Sequence, residues 1–267
     1  MRMLSELRAS YAFVERNFNL IRRYINWEIV FIFYTIINTL TIGLIGIQAG
    51  ENGGELVLYL IVGALLWGFL SVLFYEVGDS IGWERWEGTI EYTFMAPVHR
   101  LTHLGGVCMF AIIYGTLRTV IVLAAVTFFF DINLQGANLL AALGVLVISS
   151  FAFIGLGLMA AVLPLMSPEK GSQATHIIQG FILLISGVYY EIEALPAWLQ
   201  PLSRISPATY TLRAARAALL EGAGFSELAP SLLMLAITGA ALIPIGLFVF
   251  SLGERYAMRA GKLKRSG

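Results

Sequence analysis

The chain has 267 residues, of which 58% are hydrophobic and 13% charged, with a formal net charge of +0; its mean hydropathy is +0.80. A water-soluble domain carries about 25% charged residues, so this composition excludes a soluble globule and points to a surface that faces lipid. The single cysteine, Cys108, lies in an apolar run, which excludes a disulfide framework and a cysteine-based metal centre and reads as a small buried hydrophobe.

The first 27 residues mix charges with aromatics and hold no apolar core of the signal-peptide kind, so insertion is expected to rest on the first membrane helix. Over residues 11–27, Phe18, Ile21 and Ile25 recur at helical spacing, and Arg16, Asn19, Arg22, Arg23 and Asn26 lie largely between them. That pattern predicts an interfacial amphipathic helix with its apolar side among the headgroups, a solvated tail being the alternative. A span needs about 20 mostly apolar residues to cross roughly 30 Å of hydrocarbon. Six segments qualify: 29–47, 56–75, 104–130, 139–163, 171–190 and 228–253. Uninterrupted runs of this length predict helices, not the alternating short strands of a barrel. The expected fold class is an all-α membrane bundle of six transmembrane helices.

Lys and Arg counts orient the bundle. Arg2, Arg8, Arg16, Arg22 and Arg23 precede the first span, Arg85 and Arg100 follow the second, and Lys170 follows the fourth. Arg255, Arg259, Lys262, Lys264 and Arg265 follow the last. The connections after the first and third spans hold only acids, Glu51, Glu55 and Asp131. Both termini are therefore expected in the cytoplasm of a prokaryotic cell, with the chain integral to its plasma (inner) membrane. The long connection 191–227 breaks the pattern with Arg204, Arg213 and Arg216, offset by Glu191, Glu193, Glu221 and Glu227; long loops follow the charge rule poorly.

Charges in or beside spans need a reason. Arg118, within the third span, either meets an internal partner or marks a shifted span boundary, the favoured readings, or attracts an anionic substrate or headgroup. Glu28 and Glu76 are expected near the cytoplasmic face, snorkelling or paired with arginines of the N-terminal helix. Glu191 and Glu193 stand at the outer end of the fifth span, as a candidate outer gate or as ordinary solvated ends. Thr35, Asn38, Thr39 and Thr41 make the first span unusually polar, which suits interhelical hydrogen bonds or a pathway. His99 and His103 stand four apart and would share a helix face, but interfacial polar residues are favoured over a metal pair, and His176 reads the same way. No Gly-x-x-x-x-Gly-Lys-Ser/Thr loop or His-Glu-x-x-His pair occurs. The chain is thus expected to have no catalytic residues, no resident metal and no ATPase site of its own, and nucleic acid is not an expected partner.

Between the second and third spans runs Trp83-Glu84-Arg85-Trp86-Glu87-Gly88-Thr89-Ile90-Glu91, then Met95-Ala96-Pro97-Val98 and Arg100. Trp86, Ile90 and Phe94 repeat every four residues and predict one apolar stripe on a short helix over 83–95, which Pro97 ends. Aromatic clusters of this kind mark contact surfaces. The Glu-Arg-x-x-Gly-Thr-x-Glu run and the Pro-Val-x-Arg step resemble the cytoplasmic loop of ABC-2 type transporter permeases. Trp86 departs from a loop position that is often polar in that family. A second stretch agrees: Ala194-Leu195-Pro196-Ala197-Trp198, Pro207-Ala208-Thr209-Tyr210, then Arg213, Arg216, Leu219, Leu220 and Glu221-Gly222 resemble the family's progression between its last two spans.

The resemblance implies one ABC-2 transmembrane domain over residues 1–267, with a coupling helix at 83–95 and re-entrant or interfacial helices within 191–227. It implies docking of an ATP-binding cassette subunit on Trp83, Glu84, Arg85, Trp86, Glu87, Gly88, Thr89, Ile90, Glu91 and Met95. The charged members would give ionic contacts, and Trp83, Trp86, Ile90 and Met95 the buried anchor. Two permeases, most simply a homodimer, would join two ATPase subunits, which bind the ATP and magnesium. Spans 1, 2 and 5 border the route in the family, which makes Tyr34, Asn38, Trp67, Phe74 and Gln179 candidate lining residues. An amphipathic drug, lipid or glycoconjugate is the implied cargo of an exporter. An ATP-independent transporter or channel would show an inverted repeat or paired mid-membrane acids. A non-transporting membrane anchor or assembly protein remains the third reading.

Overall fold

The structure, a computed structural model, describes residues 2–48, 53–132 and 134–261. Glu51, Lys262, Lys264 and Arg265 of the charge pattern, and the side chain of Trp86, lie outside the described residues. In chain order the helices are α1 (Arg2–Arg23), α2 (Ile25–Ile47), α3 (Gly53–Glu87), α4 (Ile90–Met95), α5 (Arg100–Phe130) and α6 (Leu139–Ala160). Then follow α7 (Val162–Met166), α8 (Pro168–Ile185), a 3-10 turn at Ile192–Ala194, α9 (Gln200–Ile205), α10 (Pro207–Leu220) and α11 (Phe225–Arg259). Among the described residues, five segments are long and apolar enough to cross a membrane: Ile25–Ile47, Gly54–Arg85, Arg100–Phe130, Leu139–Met166 and Phe225–Arg259.

The expected fifth span, 171–190, is shorter as a helix. The apolar part of α8 is Gln173–Ile185, and the chain turns at Gly187, whose φ of +68° favours glycine. The segment nevertheless runs antiparallel along α3. The His176 ring lies 6.3 Å from that of Tyr75, and Gln179 Nε2 donates to the Ser71 carbonyl at 3.5 Å. Further along, a Cβ on Gly63 would collide with the Val188 carbonyl oxygen. Glycine at 63 is what lets that turn approach α3 so closely.

Three expected boundaries are corrected. The helix of the second span does not stop near residue 75. Leu73, Val77 and Ile81, four apart and all at 0% exposure, carry its buried stripe onward to Glu87. The expected helix over 83–95 is therefore two pieces, the end of α3 and the separate α4. The amphipathic segment 11–27 is likewise split: α1 closes at Arg23 and α2 opens at Ile25. Its apolar stripe also has a different neighbour from the one expected. Val14, Phe18 and Ile21 pack on Phe110 and Tyr114 of α5, with the Phe18 and Phe110 ring centroids 5.1 Å apart, so they meet protein rather than headgroups. Close approach is possible because a Cβ on Gly106 would stand 2.5 Å from the Ser10 carbonyl oxygen. The fourth expected span breaks at Ala161 into α6 and α7, where Pro164 lacks an N–H and its ring crowds the preceding turn.

α3 is central and packs against α2, α5, α6, α7, α8 and α10. The broadest packing joins α6 to α11 and rests on small residues. A Cβ on Gly155 would stand 2.5 Å from the backbone carbon of Leu242, and one on Gly239 would stand 3.0 Å from Phe151 Cβ. Such closeness replaces the hydrophobic effect, which is weak between helices in lipid. α10 enters the bundle among α3, α6 and α11, burying Ala208, Leu212, Ala214, Ala215 and Ala218. Contacts of Arg16 with Glu84 and of Arg100 with Glu254 place α1 and the end of α11 at the end of the bundle where α3 passes into α4.

Candidate functional site

The α3–α4 segment is shaped by a glycine-closed helix end. Gly88 has φ +77°. Its N–H donates to the Arg85 carbonyl at 3.1 Å, and the Thr89 N–H reaches back to the Glu84 carbonyl at 2.8 Å. This pair of bonds caps a helix whose next residue is left-handed. The Thr89 hydroxyl adds a second donor to Glu84 O at 3.2 Å. Gly-Thr thus sets the angle between α3 and α4.

The residues expected to dock a partner divide by burial. Ile90 is 0% exposed in the main core, Arg85 is 1% exposed and Glu84 is 4% exposed. The Glu84 carboxylate takes Arg16 Nη1 of α1 at 2.5 Å and stands 3.4 Å from Nε2 of the buried His103 on α5. The His103 ring lies 4.6 Å from that of Phe13. Arg85 donates to the carbonyls of Leu165 and Pro164 in α7, the second at 3.3 Å. These carbonyls lie in the last turn of α7, and Pro168, four residues on from Pro164, has no N–H to offer, so the guanidinium supplies donors there. Trp83, Glu87, Thr89, Glu91 and Met95 are exposed, and so is Tyr92. Gly88 is half-buried. One side of the segment is therefore tied inward by charge and the other presents aromatic, thioether and acidic groups.

Arg100 holds α4 from below its last turn. Nη1 and Nη2 donate to the Thr93 and Phe94 carbonyls at 3.2 and 2.9 Å, and the guanidinium carbon lies 3.9 Å from the Phe94 ring centre. Nε donates to Glu254 of α11 at 2.8 Å. His99 caps α5, its ring accepting from the Leu101 N–H at 3.4 Å, while His103 points inward. The two do not meet, and among the described residues no group of three or more His, Cys, Asp or Glu is placed to hold a metal.

Arg118 has internal partners. Nη2 donates to Thr35 Oγ1 at 2.7 Å and to the Phe31 carbonyl at 3.1 Å, and Nη1 to the Tyr114 hydroxyl at 3.2 Å. The Tyr114 hydroxyl in turn donates to Glu28. A chain of polar groups thereby joins α2 to α5 and accounts for two of the membrane charges. Of the lining candidates, Tyr34 and Asn38 lie on the exposed side of α2, Trp67 is half-buried and Gln179 is buried against α3. Phe74, 2% exposed, is part of the core, so within one chain it faces no surface.

At the opposite end, Arg216 donates to the carbonyls of Val188, Gly187 and Tyr59 at 2.6, 3.2 and 3.4 Å, with its guanidinium carbon 3.5 Å from the Tyr59 ring centre. Burial lowers the pKa of the guanidinium, which stays charged because it starts far above neutrality. Glu191 and Glu193 are exposed there. Charge counting saw Arg216 only as a misfit in an outer connection, and the ties of Arg100 to Glu254 and Arg85 to α7 carried no sequence signal beyond being charges at the ends of apolar runs.

The sequence that forms this bundle and its corner matches a known family. A family model described as the ABC-2 type transporter matches residues 9–220. The chain belongs to the ABC-2 type transporter family. Among curated proteins, none matches the chain. The match takes in α10 and ends before α11 begins. As an ABC-2 protein the chain is an integral membrane protein and a transporter permease component, in a family that is generally not catalytic itself and typically works with an ATPase partner.

Proposed function

We propose that the chain, as one ABC-2 transmembrane domain, is the permease subunit of an ATP-driven exporter in a prokaryotic inner membrane. Six segments cross the bilayer, α8 with the turn after it being the fifth, and both chain ends are cytoplasmic. Two copies, most simply identical, pair with two ATP-binding cassette subunits, which hold the ATP and magnesium. The observation that carries this reading is the corner at Gly88. Trp83, Tyr92 and Met95 are 42%, 72% and 72% exposed beside Glu87 and Glu91, on a segment whose other side is anchored by Glu84, Arg85 and Ile90. A rigid plug with an apolar tip and an acidic rim suits a cleft in a partner protein. The docking residues are accordingly Trp83, Glu87, Thr89, Glu91, Tyr92 and Met95, with Trp86 on the same helix end. Glu84, Arg85, Gly88 and Ile90 hold the plug in shape.

ATP-driven closure of the partner subunits would push this corner as a rigid body. The bundle would then move between inward-open and outward-open arrangements, the bias coming from differential ATP binding to the two states. On α2 the exposed Asn38 and Thr41 donate to the Tyr34 and Ile37 carbonyls of their own helix at 3.2 and 2.8 Å. The remaining polar atoms of Asn38 and the exposed Tyr34 hydroxyl suit a protein or watery neighbour better than lipid, which supports a role for that face at the permease–permease interface or along the route. The cargo is proposed as an amphipathic drug, lipid or glycoconjugate on the apolar character of the bundle. Mild-detergent purification of the tagged chain from its native host is the test. An ATPase subunit in equal amount, lost in a Trp83→Asp/Met95→Asp variant, is the expected result. A chain that purifies alone while other ABC complexes survive the same conditions would count against the proposal.

A further inference from the structure

α4 is six residues long, and a helix of that length has little stability of its own. Its N-terminal side is fixed by Ile90 in the core. Its C-terminal side is fixed by Arg100, whose two terminal nitrogens hold the Thr93 and Phe94 carbonyls. The third nitrogen, Nε, holds Glu254, a residue 154 positions away and only 8% exposed. Glu254 sits on the last turns of α11 between two tight contacts. A Cβ on the preceding Gly253 would stand 2.5 Å from Val162 of α7, and Ala257 is fully buried. One guanidinium therefore spans α4, its own helix α5, and α11. Charge-assisted bonds with every nitrogen engaged make a stiff link, and a buried carboxylate stripped of its partner is strongly disfavoured.

We infer that Arg100 and Glu254 are positioning residues that deliver the displacement of α4 directly to α11, so that the corner and the last helix move together. Resting on the permease reading above, this adds a route for the motion that leaves α4 at the first residue of α5 and enters α11 without passing through α3. Because α11 has its broadest contact with α6, the displacement enters the second half of the bundle through that pair. The link is one local bond, so removing the acceptor of Glu254 with an apolar side chain cuts it while leaving the grip of Arg100 on the α4 carbonyls.

The test uses the complex purified with its ATPase subunit, in lipid nanodiscs, with Cys108→Ser as background. Spin labels at Thr93→Cys and Met258→Cys report the α4–α11 distance, and labels at Thr93→Cys and Trp27→Cys report α4–α2, each chain diluted into unlabelled copies. The α4–α11 distance should be narrow and the same without nucleotide and with trapped ATP, while α4–α2 changes. Glu254→Leu should broaden the α4–α11 distribution and make it nucleotide-dependent, with ATP hydrolysis retained. Arg100→Lys, which keeps the charge but gives up the carbonyl bonds, should broaden it less. A wild-type α4–α11 distance that shifts with nucleotide, or a Glu254→Leu distribution as narrow as wild type, would overturn the inference. If no pair responds to nucleotide, the permease reading fails separately, and the nucleotide-free widths alone decide the tie.

Discussion

At Gly88 the backbone has φ +77°, and a side chain there costs about 1–2 kcal/mol of left-handed strain. Gly88→Ala should therefore lower the melting temperature of the purified protein slightly and keep partner binding. Gly88→Pro removes the N–H that caps the Arg85 carbonyl and demands φ near −65°, so the turn fails and co-purification of an ATPase subunit should be lost. A second residue-scale prediction concerns Arg118. Its bonds to Thr35, Phe31 and Tyr114 make it a helix clip, so Arg118→Leu should cost about 1–2 kcal/mol of stability, read as an earlier unfolding transition in detergent. Unchanged stability with lost transport would instead make it a cargo receptor. In the sequence Arg118 is a mid-span charge that asks for a reason, but its partners are not legible there, since Thr35 and Phe31 come from a different helix. The resemblance implies that Glu84 and Arg85 make charged contacts with a partner subunit; the structure uses both inside the chain instead, because α1 and α7 arrive to meet them.

At the scale of elements, the apolar runs located the membrane helices well, since lipid tolerates little else over about 20 residues. Their ends were less legible. Helix α3 outlasts its apolar run because Val77 and Ile81 continue its buried stripe among charges. The stripe of α1 was visible, yet hydrophobic spacing says only that something apolar covers it, and here that is Phe110 and Tyr114 of α5 rather than lipid. The α6–α11 interface left no motif, although its logic is simple. Gly155 faces the Leu242 backbone, which cannot yield as a flexible side chain would. Gly155→Leu should overpack this contact by about 1–3 kcal/mol or more, seen as aggregation in gel filtration, whereas Gly54→Ala, in open space, should be silent.

At the scale of the whole molecule, the charge pattern and the packing agree on one point: α1, the α3–α4 corner and the end of α11 share one end of the bundle. The exception in the charge pattern, Arg216, has a physical cause, because it satisfies the carbonyls of Gly187 and Val188 where the chain leaves its helix. Arg216→Ala should therefore destabilise the turn after α8 and leave ATPase co-purification intact, as checked by limited proteolysis beside the pull-down. The family match makes the chain a transporter component, and the claim that most needs testing is that the Gly88 corner meets an ATPase subunit in the cytoplasm. The measurement is maleimide cross-linking at Met95→Cys in a Cys108→Ser background, in intact native cells. An adduct of this chain with one ATPase subunit, and protection of Met95→Cys from membrane-impermeant maleimide added outside, is the predicted result. Labelling of Met95→Cys from outside, with no such adduct, would contradict the account.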